Sequence, residues 1–299
     1  MQKISIIGAG NFGQAIAHIL SKKPEYEVLM WDTDSSKVHD MKPIAEVLSG
    51  SEIIFLCVPS WSLRSAGESL KQYISNHPII ICPTKGVEDN TLKTSEEVLV
   101  GVFQDTADIA LLHGPMLAAE IMQNLPAFSV IACTSKEGYE KINQLFSETL
   151  LQLEYSEDIH GVALAGVLKN IYSIGLGMAD ALALGSNFRG WYVRIATREM
   201  SQIISALGGN AETALTGAGI GDMIATGFSP HSRNCTVGHE IVQSGECSTV
   251  SEGGESLPAM MQLLAKAGVE APLCAGIAKL VAGEAGAPHI DKVIASCVS

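Results

Sequence analysis

Positive charge is scarce in this sequence. Its 299 residues include 19 lysines and arginines against 32 aspartates and glutamates, which gives a formal net charge of −13. Nucleic acids and anionic membranes are bound through clustered positive charge, so we expect no nucleic-acid partner. Four of the five arginines lie in one short region, where charged faces of exposed helices can explain three of them. The four are Arg189, Arg194, Arg198 and Arg233.

Paired cysteines and a targeting segment are also missing. The seven cysteines, at positions 57, 82, 133, 235, 247, 274 and 297, show no metal-ligand spacing, so no metal site is predicted. An odd number of thiols without a signal peptide is typical of a reducing cytosol. Because the chain begins directly in the strand-like run MQKISIIG, we expect no leader to be removed and a cytoplasmic location.

No apolar run is free of charge over a membrane-spanning length. Residues 161–185, GVALAGVLKNIYSIGLGMADALALG, are small and aliphatic almost throughout, but Lys169, Asn170 and Asp180 interrupt them. Charged groups are costly inside a bilayer, so the run predicts a buried helix and no membrane insertion. A lysine is almost never fully buried unless it is paired. Lys169 therefore either lies on a polar stripe with its head in water or is a catalytic or anion-binding group.

The first half of the chain has the pattern of an α/β domain. Strand-like runs at 3–7, 27–31, 53–58, 78–82, 109–112, 128–133 and 151–155 alternate with helical segments. This pattern predicts a doubly wound, mostly parallel Rossmann-like sheet whose ligands lie beyond the carboxyl ends of the strands. We assign residues 1–157 to this dinucleotide-binding domain.

From residue 158 onward the strands stop and helical periodicity takes over. It runs through 161–185, 189–207, 255–267, 272–282 and 288–297, and a glycine-rich stretch at 216–222 interrupts it. Residues 158–299 are therefore predicted to form an all-α substrate-binding and catalytic domain. Asp222 either caps a helix at 223–228 or holds a substrate hydroxyl or orients Lys169.

A glycine turn follows the first strand. Gly8, Gly10 and Gly13 form GxGxxG between a strand and a helix, where the backbone can approach a pyrophosphate. Asp32, 24 residues after Gly8, ends the second strand. It can bond ribose hydroxyls and would repel a 2′-phosphate, which favours NAD over NADP. An equally weighted alternative makes Asp32 a turn former in DTDSS.

Several motifs together carry a family resemblance. They occur in the order GAGNFGQAIA, VPS, TKG, HGPMLAAE, GVALAGVLKN, GAGIGDMIAT, SRNCTVG, SEGGES and GVEAP. Over nearly the whole chain the sequence resembles the NAD(P)-dependent sn-glycerol-3-phosphate dehydrogenases. LKN followed by GxGD and then SRN is the most specific part, whereas VPS is shared more widely.

The resemblance implies roles for individual residues. Lys169 looks like the proton acceptor, and Lys85 resembles a lysine that contacts both substrate and nicotinamide. Further substrate contacts are implied at Gly114, Met116, Asp222, Ser232, Arg233 and Asn234. Asn11 and Phe12 take the variable places of the glycine turn, and further cofactor contacts are implied at Ala118, Arg233, Val250 and Glu252.

The resemblance also implies the reaction. It is the interconversion of sn-glycerol 3-phosphate and dihydroxyacetone phosphate, which supplies phospholipid synthesis in a homodimeric enzyme. A lysine suits the proton transfer if burial and a nearby cation such as Lys85 lower its pKa. Arg233 offers a planar fork for phosphate, assisted by Ser232 and Asn234 and, if a helix begins nearby, by its amides. We expect Lys85, Lys169, Asp222 and Arg233 to be neighbours where the domains meet.

Some residues depart from the family pattern. The stretch 32–52 is short, Met116 replaces a small hydroxyl residue, and Cys235 and Thr236 replace basic residues. Two alternatives therefore stay open. One is a related two-domain dehydrogenase for another small anionic hydroxy or keto compound, and the other is a non-catalytic dinucleotide sensor. A sensor would have no need for Lys85, Lys169 and Arg233 together.

Overall fold

A computed structural model describes residues 1–284 and 289–296. The chain divides into unit 1, comprising Met1–Thr84 and Ser95–Ile159, and unit 2, comprising Lys85–Thr94 and His160–Ser299. The short segment Lys85–Thr94 thus packs with the helical unit although it lies within the sequence assigned to the first domain. Cys297 and both ends of the helix predicted at 288–297 fall outside the described residues.

Unit 1 contains one seven-stranded sheet. Its strands are β1 (Gln2–Ile7), β2 (Tyr26–Trp31), β3 (Ile53–Leu56), β4 (Ile79–Cys82), β5 (Asp108–His113), β6 (Ala127–Cys133) and β7 (Leu151–Ser156). They lie in the order β2-β1-β3-β4-β5-β6-β7. Only the β5–β6 pair is antiparallel. The predicted doubly wound, mostly parallel sheet is confirmed.

Six helices accompany this sheet in the described chain. They are α1 (Asn11–Leu20), α2 (Ile44–Leu48), α3 (Leu63–Lys71), α4 (Ser95–Phe103), α5 (Ala118–Met122) and α6 (Lys136–Leu145). β3 and β4 are buried along their whole length, which explains their unbroken apolar sequence. Sequence periodicity missed α2 and α5 because five residues are too few to show a helical repeat.

The glycine turn lies at the point where the strand order reverses. β2 pairs with one edge of β1, and β3 pairs with the other edge. Chains of this topology leave a crevice beyond the carboxyl end of the strand at the reversal. Residues 8–13 connect that end of β1 to α1, so the fold puts the turn where such sheets bind ligands.

Unit 2 is helical, as predicted. Its helices within the described residues are α7 (Ile159–Ala181), α8 (Gly185–Ala206), α9 (Asp222–Gly227), α10 (Arg233–Ser244), α11 (Glu252–Ala267), α12 (Pro272–Val281) and α13 (Ile290–Ser296). The glycine-rich stretch at 216–222 was expected to interrupt the helical structure, but most of it is itself helical. Ala211–Leu215 forms a 3-10 turn, and Gly217–Gly221 forms a π turn that leads into α9.

Helix α7 lies in the interior of this protein. It is long and apolar enough to cross a membrane by composition, but that apolar stretch is entirely buried within the described structure. α7 and α10 touch backbone to backbone at two glycines. A Cβ on Gly177 would overlap the Cys235 carbonyl oxygen, and one on Gly238 would overlap that of Ile174. Glycine allows this approach because it has no side chain, and α10 consequently packs beside the helix that carries Lys169.

Candidate active site

The glycine turn of unit 1 has the geometry of a phosphate cradle. A Cβ on Gly8 would overlap the Cys57 carbonyl oxygen, and one on Gly13 would overlap that of Gly8, so both positions require glycine. Around Gly10, no described atom lies within 4 Å of an added Cβ. Among the described residues, no side chain caps the amino terminus of α1. An open backbone before an uncapped helix suits a pyrophosphate.

Asp32 is tied to this turn. Its carboxylate accepts hydrogen bonds from the backbone N–H groups of Ala9, at 2.7 Å, and Asp34, at 2.9 Å, and Lys37 Nζ lies 3.4 Å away. Burial raises the pKa of Asp32, but these bonds outweigh burial and hold it below its usual value. Asp32 thus makes the local contact with Asp34 that the turn-forming interpretation expected. A contact of Asp32 with ribose stays a prediction.

The other candidates of unit 1 lie in the glycine turn and just beyond β5. Asn11 and Phe12 begin α1, with Asn11 exposed and Phe12 packed against the core, and Ala118 begins α5. Gly114 is buried, and a Cβ there would lie 2.7 Å from the Phe128 carbonyl oxygen. The Met116 side chain is 6% exposed and belongs to the core of unit 1. A substrate contact at Met116 stays a prediction, and it would have to come from the main chain.

Lys169 is the central side chain of the site in unit 2. It is 5% exposed, and its Nζ donates to Asp222 Oδ1 at 3.0 Å and to Thr226 Oγ1 at 2.8 Å. Lys85 Nζ lies 3.1 Å from the other oxygen of Asp222, Oδ2. One buried carboxylate is therefore shared by two ammonium groups, and the interpretation of Lys169 as a solvated polar stripe is wrong.

Three separate segments supply this cluster. α7 carries Lys169, the segment Lys85–Thr94 carries Lys85, and α9 carries Asp222 and Thr226. Residues four apart share one face of a helix, and Thr226 Oγ1 donates to Asp222 Oδ1 at 3.0 Å. Asp222 does not act as a helix cap, because its carboxylate is directed to the lysines and Thr226. That alternative is therefore wrong.

The electrostatics of the cluster favour proton transfer. Burial lowers the pKa of Lys169 to about 8, with Asp222 acting in the opposite direction and Lys85 adding to the decrease. For Asp222, burial raises the pKa, but Lys169 and Lys85 outweigh burial and hold it below its usual value. A lysine with a pKa of about 8 can accept or release a proton near neutral pH. The pKa decrease that this chemistry requires is present.

α10 begins at Arg233, so the condition for its amides to lie beside this residue is met. Ser232 caps it by accepting a hydrogen bond from the Cys235 N–H at 3.3 Å. Arg233 is exposed, and within the described part of the chain it takes part in no ion pair. The other three arginines of the C-terminal half all lie on α8. They are Arg189, Arg194 and Arg198.

Asn234 connects three helices. Its Nδ2 donates to Asn170 Oδ1 on α7 at 2.9 Å, and its Oδ1 accepts the Gly253 N–H of α11 at 3.0 Å. Glu252, the first residue of α11, is close enough to raise the pKa of Lys169. Val250, two residues earlier, is 53% exposed. The start of α11 therefore lies against the Lys169 helix.

The residues that follow Asn234 do not supply positive charge. Cys235 is buried, and its Sγ donates to the carbonyl oxygens of Thr226, at 3.4 Å, and Gly227, at 3.1 Å. Thr236 is exposed. Cys235 therefore serves the packing of α9 on α10.

Thr226 and Asn170 were missing from the predicted set. A signal for Thr226 was present, since it follows Asp222 by four residues in GDMIATG and so shares its helix face. Asn170 directly follows Lys169, but its partner Asn234 is distant in sequence. The pairing between them could be recognised only from the fold.

Comparisons with known sequences identify one family over both units. The sequence model for the NAD-dependent glycerol-3-phosphate dehydrogenase C-terminus matches residues 158–290, and the N-terminal model of that family matches residues 3–43 and 36–139. A glycerol-3-phosphate dehydrogenase (NAD(P)+) of Synechococcus sp. strain JA-3-3Ab is 33% identical over 95% of this chain and 92% of the relative. The Caulobacter vibrioides enzyme of that name is 30% identical over 100% and 97%.

Solved structures agree in fold. Glycerol-3-phosphate dehydrogenase from Coxiella burnetii superposes with a TM-score of 0.89 at 24% identity, covering 100% of this chain and 99% of that one. The enzyme from Saccharomyces cerevisiae gives 0.82 at 19% identity, covering 98% and 99%. With both sequence models matched and relatives aligned over nearly its whole length, this chain belongs to the NAD-dependent glycerol-3-phosphate dehydrogenase family.

Proposed function

We propose that this enzyme interconverts sn-glycerol 3-phosphate and dihydroxyacetone phosphate with NAD or NADP. The relatives that it matches over nearly their whole length are named for glycerol 3-phosphate and NAD(P)+. The observation that carries the proposal is the buried Lys169, whose pKa of about 8 fits a group that moves a proton. The expected roles of residues 1–157 in dinucleotide binding and of 158–299 in catalysis are part of the same proposal.

The glycine turn fits the cofactor that this reaction needs. When bound, the nicotinamide supplies or accepts the hydride. Gly8, Gly10 and Gly13, with Asn11 and Phe12 between them, would hold the pyrophosphate against the start of α1. Asp32 would meet the ribose and favour NAD. Lys85, Ala118, Arg233, Val250 and Glu252 are the remaining cofactor contacts that we propose.

Lys169 would move the proton of the substrate oxygen. Reduction of a ketone needs a donor at that oxygen, and oxidation of the alcohol needs an acceptor. Asp222 and Thr226 fix the position of the ammonium through bonds of 3.0 and 2.8 Å. Lys85, on the opposite oxygen of Asp222, lowers the pKa of Lys169 and is available to contact substrate.

The phosphate of the substrate is assigned to the start of α10. Arg233 there offers a guanidinium that forms no ion pair with the described residues, and α10 presents its amino terminus. Ser232 and Asn234 already make structural hydrogen bonds, and each retains a hydrogen to donate. Gly114 and the backbone of Met116 complete the substrate contacts that we propose.

Arg233→Lys tests the phosphate assignment. We expect KM for dihydroxyacetone phosphate to rise about tenfold or more while kcat changes little, because a point charge cannot reproduce the bidentate fork. Steady-state kinetics with varied ketone measure both constants. Arg198→Lys, a substitution on α8, is the control and should leave them unchanged. An unchanged KM in Arg233→Lys would place the anion elsewhere.

A spectrophotometric assay tests the function itself. Oxidation of NADH and of NADPH is followed at equal concentrations with dihydroxyacetone phosphate, and in parallel with glyoxylate-type and pantoate-type ketones. We expect turnover with dihydroxyacetone phosphate and a faster rate with NADH, since Asp32 would repel a 2′-phosphate. Turnover with another ketone alone would favour a related dehydrogenase. NADH binding without any turnover would favour a sensor.

We also propose a homodimer that works in the cytoplasm and, in the reducing direction, supplies glycerol phosphate for phospholipid synthesis. Unit 2 exposes the large apolar side chains of Trp191, Leu215, Ile224 and Phe228, which could supply an interface. The six cysteines of the described residues are free thiols, which supports a reducing compartment. Sedimentation equilibrium should give twice the chain mass of 31.6 kDa, and a mass equal to one chain would contradict the dimer.

A further inference from the structure

One carboxylate holds the connection between α10 and α11. Glu240 Oε2 accepts the backbone N–H groups of Ser248, at 2.9 Å, and Thr249, at 3.0 Å. Glu240 Oε1 accepts the hydroxyl hydrogens of Thr249, at 2.7 Å, and Ser248, at 3.3 Å. The four bonds use both oxygens of the carboxylate. The Thr249 hydroxyl, followed by the two N–H groups, lowers the pKa of Glu240 to about 2.

The rest of this connection is held by short-range bonds: the Glu246 N–H donates to Ser244 Oγ at 3.3 Å, and Cys247 Sγ donates to the Thr249 carbonyl oxygen at 3.3 Å. α10 ends at Ser244, Gly245 follows in a left-handed conformation, and residues 245–248 are exposed. Segments with few buried contacts and exposed backbone open at low cost. In the described structure, Glu240 supplies the four hydrogen bonds that tie Ser248 and Thr249 to α10.

The other end of the connection is fixed by α10 as well. Asn234 accepts the Gly253 N–H at 3.0 Å. Gly253 has no room for a side chain, because an added Cβ would lie 2.7 Å from the Asn170 carbonyl oxygen and 2.8 Å from Asn234 Oδ1. Ser251 caps α11 by accepting the Gly254 N–H at 3.2 Å. α10 thus holds the chain on both sides of Val250–Glu252.

We propose that Glu240 is a positioning residue for the dinucleotide: by fixing Ser248 and Thr249 it keeps Val250 and Glu252 in place to contact the cofactor. This inference rests on the proposed function, which assigns cofactor contacts to those two residues. Glu240 is not among the residues that we assign to contact cofactor or substrate, because both of its carboxylate oxygens are used by Ser248 and Thr249. Ordering a flexible segment on binding costs conformational entropy, which weakens ligand affinity. A segment that is already ordered avoids this cost. The effect of Glu240 is therefore on cofactor affinity and not on the chemical step.

The test compares three variants of the full-length protein. Glu240→Ala removes all four bonds, and Glu240→Gln keeps the shape of the side chain and one acceptor oxygen. Glu246→Ala is the matched control, since it removes one negative charge from the same exposed connection. NADH titration gives Kd, kinetics at saturating NADH give kcat, and hydrogen exchange reports the Ser248 and Thr249 amides.

In Glu240→Ala we expect Kd for NADH to rise about tenfold, the equivalent of about 1.4 kcal/mol, with kcat within about twofold of wild type. Glu240→Gln should lie between Ala and wild type, and Glu246→Ala should match wild type. The Ser248 and Thr249 amides should exchange faster only in the Glu240 variants.

Two results would overturn the inference. One is an unchanged Kd in Glu240→Ala although both amides exchange faster, since the segment would then not contribute to cofactor binding. The other is a parallel loss of kcat, affinity and thermal stability in both Glu240 variants, which would indicate a general structural role. Failure of the wild type to bind NADH would overturn the proposed function and this inference with it, so the two failures are distinguishable.

Discussion

Lys169→Met is expected to lower kcat at least about 100-fold while Kd for NADH stays within about twofold. Loss of a general acid or base typically costs this much, and methionine nearly fills the volume of the lysine without carrying a proton. The buried Asp222 keeps Lys85 as a partner at 3.1 Å, so the fold should survive with a moderate loss of stability. Turnover and NADH titration measure the two quantities.

Lys279→Met provides the control for this substitution. Lys279 lies on α12 and is exposed, so its replacement removes the same charge without touching the cluster. It should leave kcat unchanged. If Lys169→Met retained near-wild-type turnover and remained folded by thermal melting, Lys169 would have no part in the proton transfer.

If Lys169 moves the proton as proposed, the pH dependence of the wild type should report its titration. Lys169 must be protonated to donate to the ketone oxygen, so kcat/KM for reduction should fall as pH rises through about 8. Oxidation of the alcohol needs the neutral amine, so its rate should rise through the same pH range. Neither the fall in reduction nor the rise in oxidation near this pH should appear in the residual activity of Lys169→Met.

Much of the fold could be predicted because its strongest signals are local. Strands buried on both faces, such as β3, appear as continuous apolar runs. Gly8 and Gly13 stand where only glycine avoids a clash with main-chain oxygens. Lys169 was conspicuous because a charge stood in an otherwise apolar helix, and its burial is confirmed.

The remaining features depend on contacts between distant parts of the chain. The segment Lys85–Thr94 packs with unit 2, and no composition change marks its ends. The Met116 side chain packs into the core of unit 1, although the family resemblance implied a substrate contact at this residue. The sharing of Asp222 by Lys85 and Lys169 joins three segments, and only the folded chain brings them together.

Asp222→Asn is expected to have the second large effect, because it removes the one carboxylate that lies between two ammonium groups. Asp222 is 2% exposed and its oxygens lie 3.0 and 3.1 Å from Lys169 and Lys85. Breaking a buried ion pair from one side typically costs about 3–5 kcal/mol. We therefore expect a decrease of that order in the free energy of unfolding near neutral pH, measured by urea denaturation.

The same substitution should move the pH profile in a defined direction. Asp222 raises the pKa of Lys169, whereas burial and Lys85 lower it. Without the carboxylate the pKa of Lys169 falls below about 8, so the decline in reduction activity should begin at lower pH. If reduction activity declined over the same pH range as in the wild type, the charge of Asp222 would not influence the titrating group.

Asp180→Asn separates this effect from the loss of an ordinary ion pair. Asp180 pairs with Arg189 and His239 at 3.0 and 3.1 Å, but its side chain is 49% exposed, so we expect a loss of at most about 1 kcal/mol.

Because the folded-state pKa of Asp222 is lowered, its stabilisation is present above the unfolded-state pKa and is lost as pH falls. The stability difference between wild type and Asp222→Asn should therefore shrink in acid, and a difference that stayed constant with pH would assign the loss to packing and not to charge.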